Sequence, residues 1–193
     1  MLSLIPVVDI RWCERPFEWA QSNPEKGWVE LSADCSDDDV ALVVATLASY
    51  NQVASSGSIS EVARALESAQ TMVLPGGLMA RSGDLEVAPS CCCGLESWRE
   101  WYGVEPDGSS PWLGHGPSPW VDCKSDVAVI WADGDLGDQS PKVSVTYAEV
   151  DGARRAANDA LKGFHGRLAD WLAAHAPQSQ GLSRRFADAF GIA

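Results

Sequence analysis

Apolar residues recur along the chain at two periods, and the changes of period mark out its elements. Val40, Val43, Val44 and Leu47 lie three and four apart, the spacing that aligns side chains on one face of an α-helix. Ser36 followed by Asp39 supplies a start signal, because a hydroxyl and a carboxylate three residues apart can satisfy each other's free backbone amides. Together they predict a helix over 37–50. Ser58 with Glu61 repeats the signal ahead of Ile59, Val62, Leu66 and Ala69, so a second helix is expected to run to Ala69. The longest stripe follows Thr146 and Glu149 and passes through Val150, Ala153, Ala157, Leu161, Phe164, Leu168, Trp171 and His175 before Pro177 ends it. Gly163 and Gly166 weaken it by about 1 kcal/mol each relative to alanine, which predicts a bend or a close backbone approach there. A last helix over 182–190 aligns Leu182, Phe186 and Phe190.

Short β-prone runs fill the rest. The opening residues up to Ile10 read as a first strand and 28–31 as another. The run 71–74 predicts a strand broken by Pro75-Gly76-Gly77, and 78–80 with 85–88 flank Arg81-Ser82-Gly83-Asp84 as a hairpin. The runs 127–131 and 143–147 alternate and are joined by the acidic turn 132–141, so they read as a strand pair with one buried face. The expected fold is α+β: a mainly antiparallel central sheet with two N-terminal helices before it and a long C-terminal helix packed on it. With 193 residues and 46% hydrophobic content, one domain over 1–193 is expected.

Charge narrows the choice of partner. The chain has 14 basic and 27 acidic residues, a formal net charge of -13, which repels phosphate backbones and anionic headgroups. Nucleic acid and membrane surfaces are therefore not expected, and a basic protein partner is. Asp9 and Arg11 cut the first apolar run short of a secretory signal, and no run reaches the roughly 20 apolar residues of a spanning helix, so a cytoplasmic protein is expected.

The densest chemistry is Cys91, Cys92 and Cys93, half of the six cysteines. Disulfides between neighbours are strained, so reduced thiols are expected. Leu95, Trp98 and Tyr102 predict a short helix ending at Gly103, whose free amides would lower a nearby thiol's pKa. Nucleophilic use of a thiol needs a base, and three histidines are available. His175 lies on the apolar stripe and reads as a core residue, while His165 reads as surface. His115, in Trp112-Leu113-Gly114-His115-Gly116-Pro117, sits in a loop whose glycines permit close approach. A metal site would take Cys91, Cys92, Cys93 and His115 as ligands and zinc as its ion, although the separated ligand pairs of structural zinc sites are missing. Cys13, Cys35 and Cys123 are scattered, and most of the cysteines are expected to serve as small buried hydrophobes.

Trp98, Trp101, Trp112 and Trp120 cluster among Pro111, Pro117 and Pro119, a stiff, helix-averse segment that can either present flat rings to a partner or pack them beneath a loop. Asp133, Asp135 and Asp138 lack the later ligands of a calcium loop and read as a solvated turn. Asp37, Asp38 and Asp39 read as the acidic start of a helix.

The segment from Pro89 through Cys91-Cys92-Cys93-Gly94-Leu95-Glu96 to Trp98-Arg99-Glu100-Trp101, continued by Pro111-Trp112-Leu113-Gly114-His115-Gly116-Pro117-Ser118-Pro119-Trp120, resembles a motif of actinobacterial proteins. The resemblance implies no activity, and no catalytic residue follows from it. Size, acidity and the lack of a catalytic constellation point to a binding protein, an immunity or antitoxin-like inhibitor of a bacterial toxin. Its surface is expected at Trp112, His115 and Trp120 with Glu105, Asp107 and Asp122 beside them. The alternative is a thiol- or metal-dependent enzyme built on Cys91, Cys92, Cys93 and His115.

Overall fold

The computed structural model describes residues 1–13, 17–21 and 27–192. In chain order these form β1 (Leu2–Asp9), β2 (Trp28–Glu30), α1 (Asp37–Tyr50), α2 (Ile59–Glu67), β3 (Gly76–Ser82) and β4 (Leu85–Val87). Then come β5 (Trp120–Cys123), β6 (Val127–Trp131), β7 (Lys142–Thr146), α3 (Tyr147–His175) and α4 (Gly181–Phe190). The fold is α+β, with sheets of four and three strands and the long helix α3 packed against sheet strands. Packing gathers the chain into two compact units, Met1–Pro6 with Gly76–Asp159, and Val7–Pro75 with Ala160–Ala193.

In the unit containing α1, both expected capping boxes form. Ser36 and Asp39 exchange bonds at the start of α1, as do Ser58 and Glu61 at the start of α2. α1 is buried on every side from Val40 to Ala48, more than its predicted stripe required. The one polar residue in that span, Thr46, donates its hydroxyl to the Leu42 carbonyl at 2.8 Å, so this buried hydroxyl is satisfied. The last residues of β1 pair antiparallel with β2, Val7 opposite Glu30 and Asp9 opposite Trp28. The run 71–74 is not a strand. Its Val73 exchanges two bonds with the Asn51 side chain, at 2.9 and 2.7 Å, and this side-chain amide takes the place of a ladder partner.

The second half of α3 and α4 share the aromatic core of this unit: Phe164 lies 5.7 Å from Phe186, which lies 4.6 Å from Phe190. A Cβ on Gly163 would come within 2.9 Å of Ala33, the close approach predicted for that glycine, whereas Gly166 faces nothing within 4 Å. His175 is exposed and not in the core. Its ring stacks on Trp171 and its Nδ1 lies 2.9 Å from the Trp171 carbonyl, which pairs the nitrogen without burying the residue. His165 is half-buried against the Ser183 hydroxyl at 2.8 Å.

In the other unit β3 and β4 form a hairpin closed by Gly83-Asp84, with Ser82 opposite Leu85. Gly83 has φ +59°, the conformation a two-residue hairpin turn demands. Gly76 and Gly77 open β3 where a break was expected, and their φ of +144° is a conformation that glycine alone adopts readily. The residues Leu95–Gly103 form a 3-10 helix. Its three-residue turn aligns Leu95, Trp98 and Trp101 on the buried face, so Trp101 is 1% exposed and Tyr102, placed inward by the α-helical reading, is 49% exposed. The predicted pair β6 and β7 forms with Val127 opposite Thr146 and Trp131 opposite Lys142. β5, within the proline-rich segment, was not foreseen as a strand; it pairs with β6 from Trp120–Trp131 to Cys123–Ala128. Thr146 and Glu149 cap α3 as expected.

Candidate functional site

Two segments, 90–93 and 112–115, lie side by side and carry the functional side chains. The Ser90 amide donates to the Leu113 carbonyl at 2.7 Å and the His115 amide to the Cys91 carbonyl at 3.1 Å. The Ser90 hydroxyl donates to the His115 carbonyl at 2.9 Å, and the Trp112 indole to the Cys92 carbonyl at 2.9 Å. Gly114 makes this approach possible: at φ +89° its Cα passes so close that a Cβ would stand 2.5 Å from the Cys91 carbonyl oxygen.

The clamp brings Cys91, Cys92 and His115 together and leaves Cys93 out. One potential ligand atom from each of the three lies within 4.8 Å of the others, and all three residues are exposed. The Cys91 and Cys92 sulfurs are 3.2 Å apart. Cys93 is buried, its thiol directed at the Trp112 carbonyl at 3.4 Å. Burial, reinforced by the charges of Glu96 and Glu100, pushes its pKa up to about 12. At Cys93 the lowered pKa expected from a helix start is therefore not found: desolvation and two carboxylates outweigh the Gly94 amide, the one influence there that favours the thiolate. The Cys91 thiol is pushed up as well, chiefly by its hydrogen bond with Cys92. Cys35 and Cys93 fulfil the expectation of buried small hydrophobes, Cys13 and Cys123 are intermediate, and Cys91 and Cys92 depart from it. Alkylation of the native protein is expected to modify Cys91 and Cys92 and to spare Cys93 until denaturant is added. Peptide mapping that finds Cys93 modified as fast as Cys91 would remove this division.

Beside the thiols lies a cleft of about 850 Å³ whose walls include Glu100, Trp112, His115, Trp120, Trp131 and Asp138. Trp112 is 48% and Trp120 38% exposed, so two large rings face outward together. Trp120 stands opposite Trp131 across β5 and β6, and the rings stack at 5.7 Å with 16° between planes. Lys142 places its ammonium 3.9 Å from the Trp131 ring centroid. The Trp131 Nε1 is buried and has no hydrogen-bond partner among the described residues. The Glu100 carboxylate accepts from the Trp112 amide at 2.6 Å and fixes the rim.

Of the residues expected at a binding surface, Trp112, His115 and Trp120 converge on this cleft, whereas Glu105, Asp107 and Asp122 are not among its lining. Glu105 and Asp122 act on the Cys123 thiol, which burial above all raises in pKa. Asp107 and Asp122 help to raise the Tyr147 phenol, again after burial. The carboxylates of the cleft are Glu100 and Asp138, and with Trp131 they escaped the sequence reading because strand pairing and the 3-10 helix bring them there. Asp133 and Asp135 brace the segment before β5: Asp133 accepts from the Ser118 and Asp135 amides at 3.1 Å, and Asp135 from the Ser118 hydroxyl at 3.0 Å.

Comparison with protein-family models, with curated proteins and with solved structures finds no match. Among the described residues no helix is long and apolar enough to cross a membrane.

Proposed function

We propose that the protein is a binding protein whose aromatic cleft holds a basic segment of a partner protein, acting in the cytoplasm as an immunity or antitoxin-like inhibitor of a bacterial toxin. The observation that carries this reading is the pair of outward-facing indoles, Trp112 and Trp120, in one cleft with the carboxylates of Glu100 and Asp138. Exposed tryptophans in a concave site are the residues that most often dominate a protein interface. Their ring faces also attract cations, and Lys142 already occupies such a position over Trp131. A formal charge of -13 would speed encounter with a basic partner.

The test is surface binding against basic toxin candidates encoded beside this chain. Trp112→Ala and Trp120→Ala are each expected to weaken binding by about 2 kcal/mol, roughly thirtyfold in Kd, mostly through faster dissociation. Raising the salt concentration is expected to slow association of the unaltered protein. Folded variants that bind undiminished would remove the cleft from the interface, and salt-independent association would remove the electrostatic argument.

A further inference from the structure

We propose that Cys91, Cys92 and His115 form a three-ligand site for a thiophilic divalent ion of the zinc class, with the fourth position open to water or to an incoming ligand. The inference stands apart from the partner-binding reading, and neither needs the other.

The first support is convergence. Side chains of adjacent residues in extended backbone point to opposite sides, so neighbouring cysteines there hold their sulfurs apart. Cys92 departs from extended geometry with φ +65°, and the two sulfurs meet at 3.2 Å. A non-glycine residue in that conformation costs on the order of 1 kcal/mol, so the surrounding structure must hold it there. It does so through the Trp112 indole bonded to the Cys92 carbonyl and the turn in which the Cys93 amide bonds to the Ser90 carbonyl at 3.2 Å.

The second support is fit. Zinc–sulfur bonds of about 2.3 Å in a tetrahedron separate two sulfurs by about 3.8 Å, and zinc–nitrogen bonds of about 2.0 Å place the imidazole nitrogen about 3.5 Å from each sulfur. The thiols therefore need to part by about 0.6 Å from their 3.2 Å separation, and the histidine atom, already within 4.8 Å, needs to close by at most about 1.3 Å. The two backbone segments that carry these side chains are already tied together, since the His115 amide is bonded to the Cys91 carbonyl and the Ser90 hydroxyl to the His115 carbonyl.

The third support is the donor chemistry. Two thiolates and an imidazole favour zinc, or copper in its reduced state, over calcium and magnesium, which take oxygen ligands. Binding a divalent ion releases the two thiol protons and leaves the metal–dithiolate unit neutral. Cys93 is excluded because its sulfur is buried against the Trp112 carbonyl. Among the described residues no further histidine, cysteine or carboxylate joins the three. That count of three protein ligands with a position left open is the pattern of zinc sites that bind an exchangeable ligand, and not of closed structural sites.

The experiment uses the full chain, reduced with a phosphine and freed of metal, titrated with zinc in competition with a chromophoric chelator and in parallel with cobalt. One equivalent per chain is expected, with a thiolate-to-cobalt absorption whose intensity corresponds to two sulfurs. Cys91→Ser, Cys92→Ser and His115→Ala are each expected to weaken zinc binding about tenfold or more, and the two serine variants to lose about half of the cobalt–thiolate absorption. Cys93→Ser is expected to retain both signals. The three ligand side chains are exposed, so their variants should keep the native circular dichroism, and that is checked alongside. Failure of the reduced chain to bind either ion, binding that survives His115→Ala and Cys91→Ser unchanged, or a Cys91–Cys92 disulfide that persists under the reductant would each overturn the site.

Discussion

Replacing Phe164 by alanine is expected to destabilise the protein by about 3–5 kcal/mol, the cost of truncating a buried aromatic side chain. Phe164 is fully buried and lies 5.7 Å from Phe186, which in turn packs on Phe190, so the ring belongs to an aromatic cluster shared by α3 and α4. Its removal deletes the transfer energy of the ring and leaves a cavity that two helices held by other contacts cannot fully close. Leu168, Trp171 and Leu182, also buried, would keep the helices in place while the hole remains. Since a domain of this kind is stable by about 5–15 kcal/mol, the loss should move the urea midpoint strongly with little change in slope. Phe164→Leu, which refills most of the volume, is expected to lose less than half as much. A midpoint unchanged in Phe164→Ala would show that this face is not core.

The regular elements that were legible in the sequence are those whose signals are local. Capping boxes at Ser36, Ser58 and Thr146 fix where α1, α2 and α3 begin, because the partners are three residues apart and any chain with that spacing can form them. The aligned aromatics of α4 and the alternation of β6 and β7 are local in the same sense. What escaped depends on distant chain. β5 is a strand because β6 pairs with it, and nothing in its own proline-rich neighbourhood announces this. The run 71–74 has strand composition, yet the side chain of Asn51, about twenty residues away, satisfies Val73 instead. The register of Trp98, Trp101 and Tyr102 was misread because three- and four-residue periods cannot be told apart over so short a helix.

The candidate site was legible in part for the same reason. Trp112, His115 and Trp120 were found from their loop chemistry, and they do line one cleft. The choice of Glu105, Asp107 and Asp122 as their acidic neighbours rested on nearness in sequence, while the carboxylates that line the cleft, Glu100 and Asp138, come from a 3-10 helix and from the turn before β7. The three adjacent cysteines looked equivalent, and what separates them is backbone: Cys92 turns left-handed and Cys93 turns inward.

Gly114 should be the most sensitive position of that site. Its φ of +89° alone makes any side chain costly there, by about 1–3 kcal/mol. The added Cβ of Gly114→Ala would also stand 2.5 Å from the Cys91 carbonyl oxygen and 2.6 Å from the Ser90 carbonyl carbon. Both are backbone atoms, which cannot swing aside as a side chain would, so the 90–93 and 112–115 segments must separate. Separation breaks the bonds from Ser90 to Leu113 and from His115 to Cys91, and with them the spacing of His115 from the two thiols. Gly116→Ala is the matched control, since Gly116 also has positive φ, at +67°, but a Cβ there meets nothing within 4 Å. Strain alone should act at Gly116, and strain with forced separation at Gly114. Gly114→Ala is therefore expected to be the less stable of the two in urea, to lose zinc affinity about tenfold or more, and to weaken partner binding as the Trp112 rim shifts, while Gly116→Ala keeps both affinities within about threefold. Equal stabilities and equal zinc affinities in the two variants would mean that the close approach at Gly114 does not hold the site together.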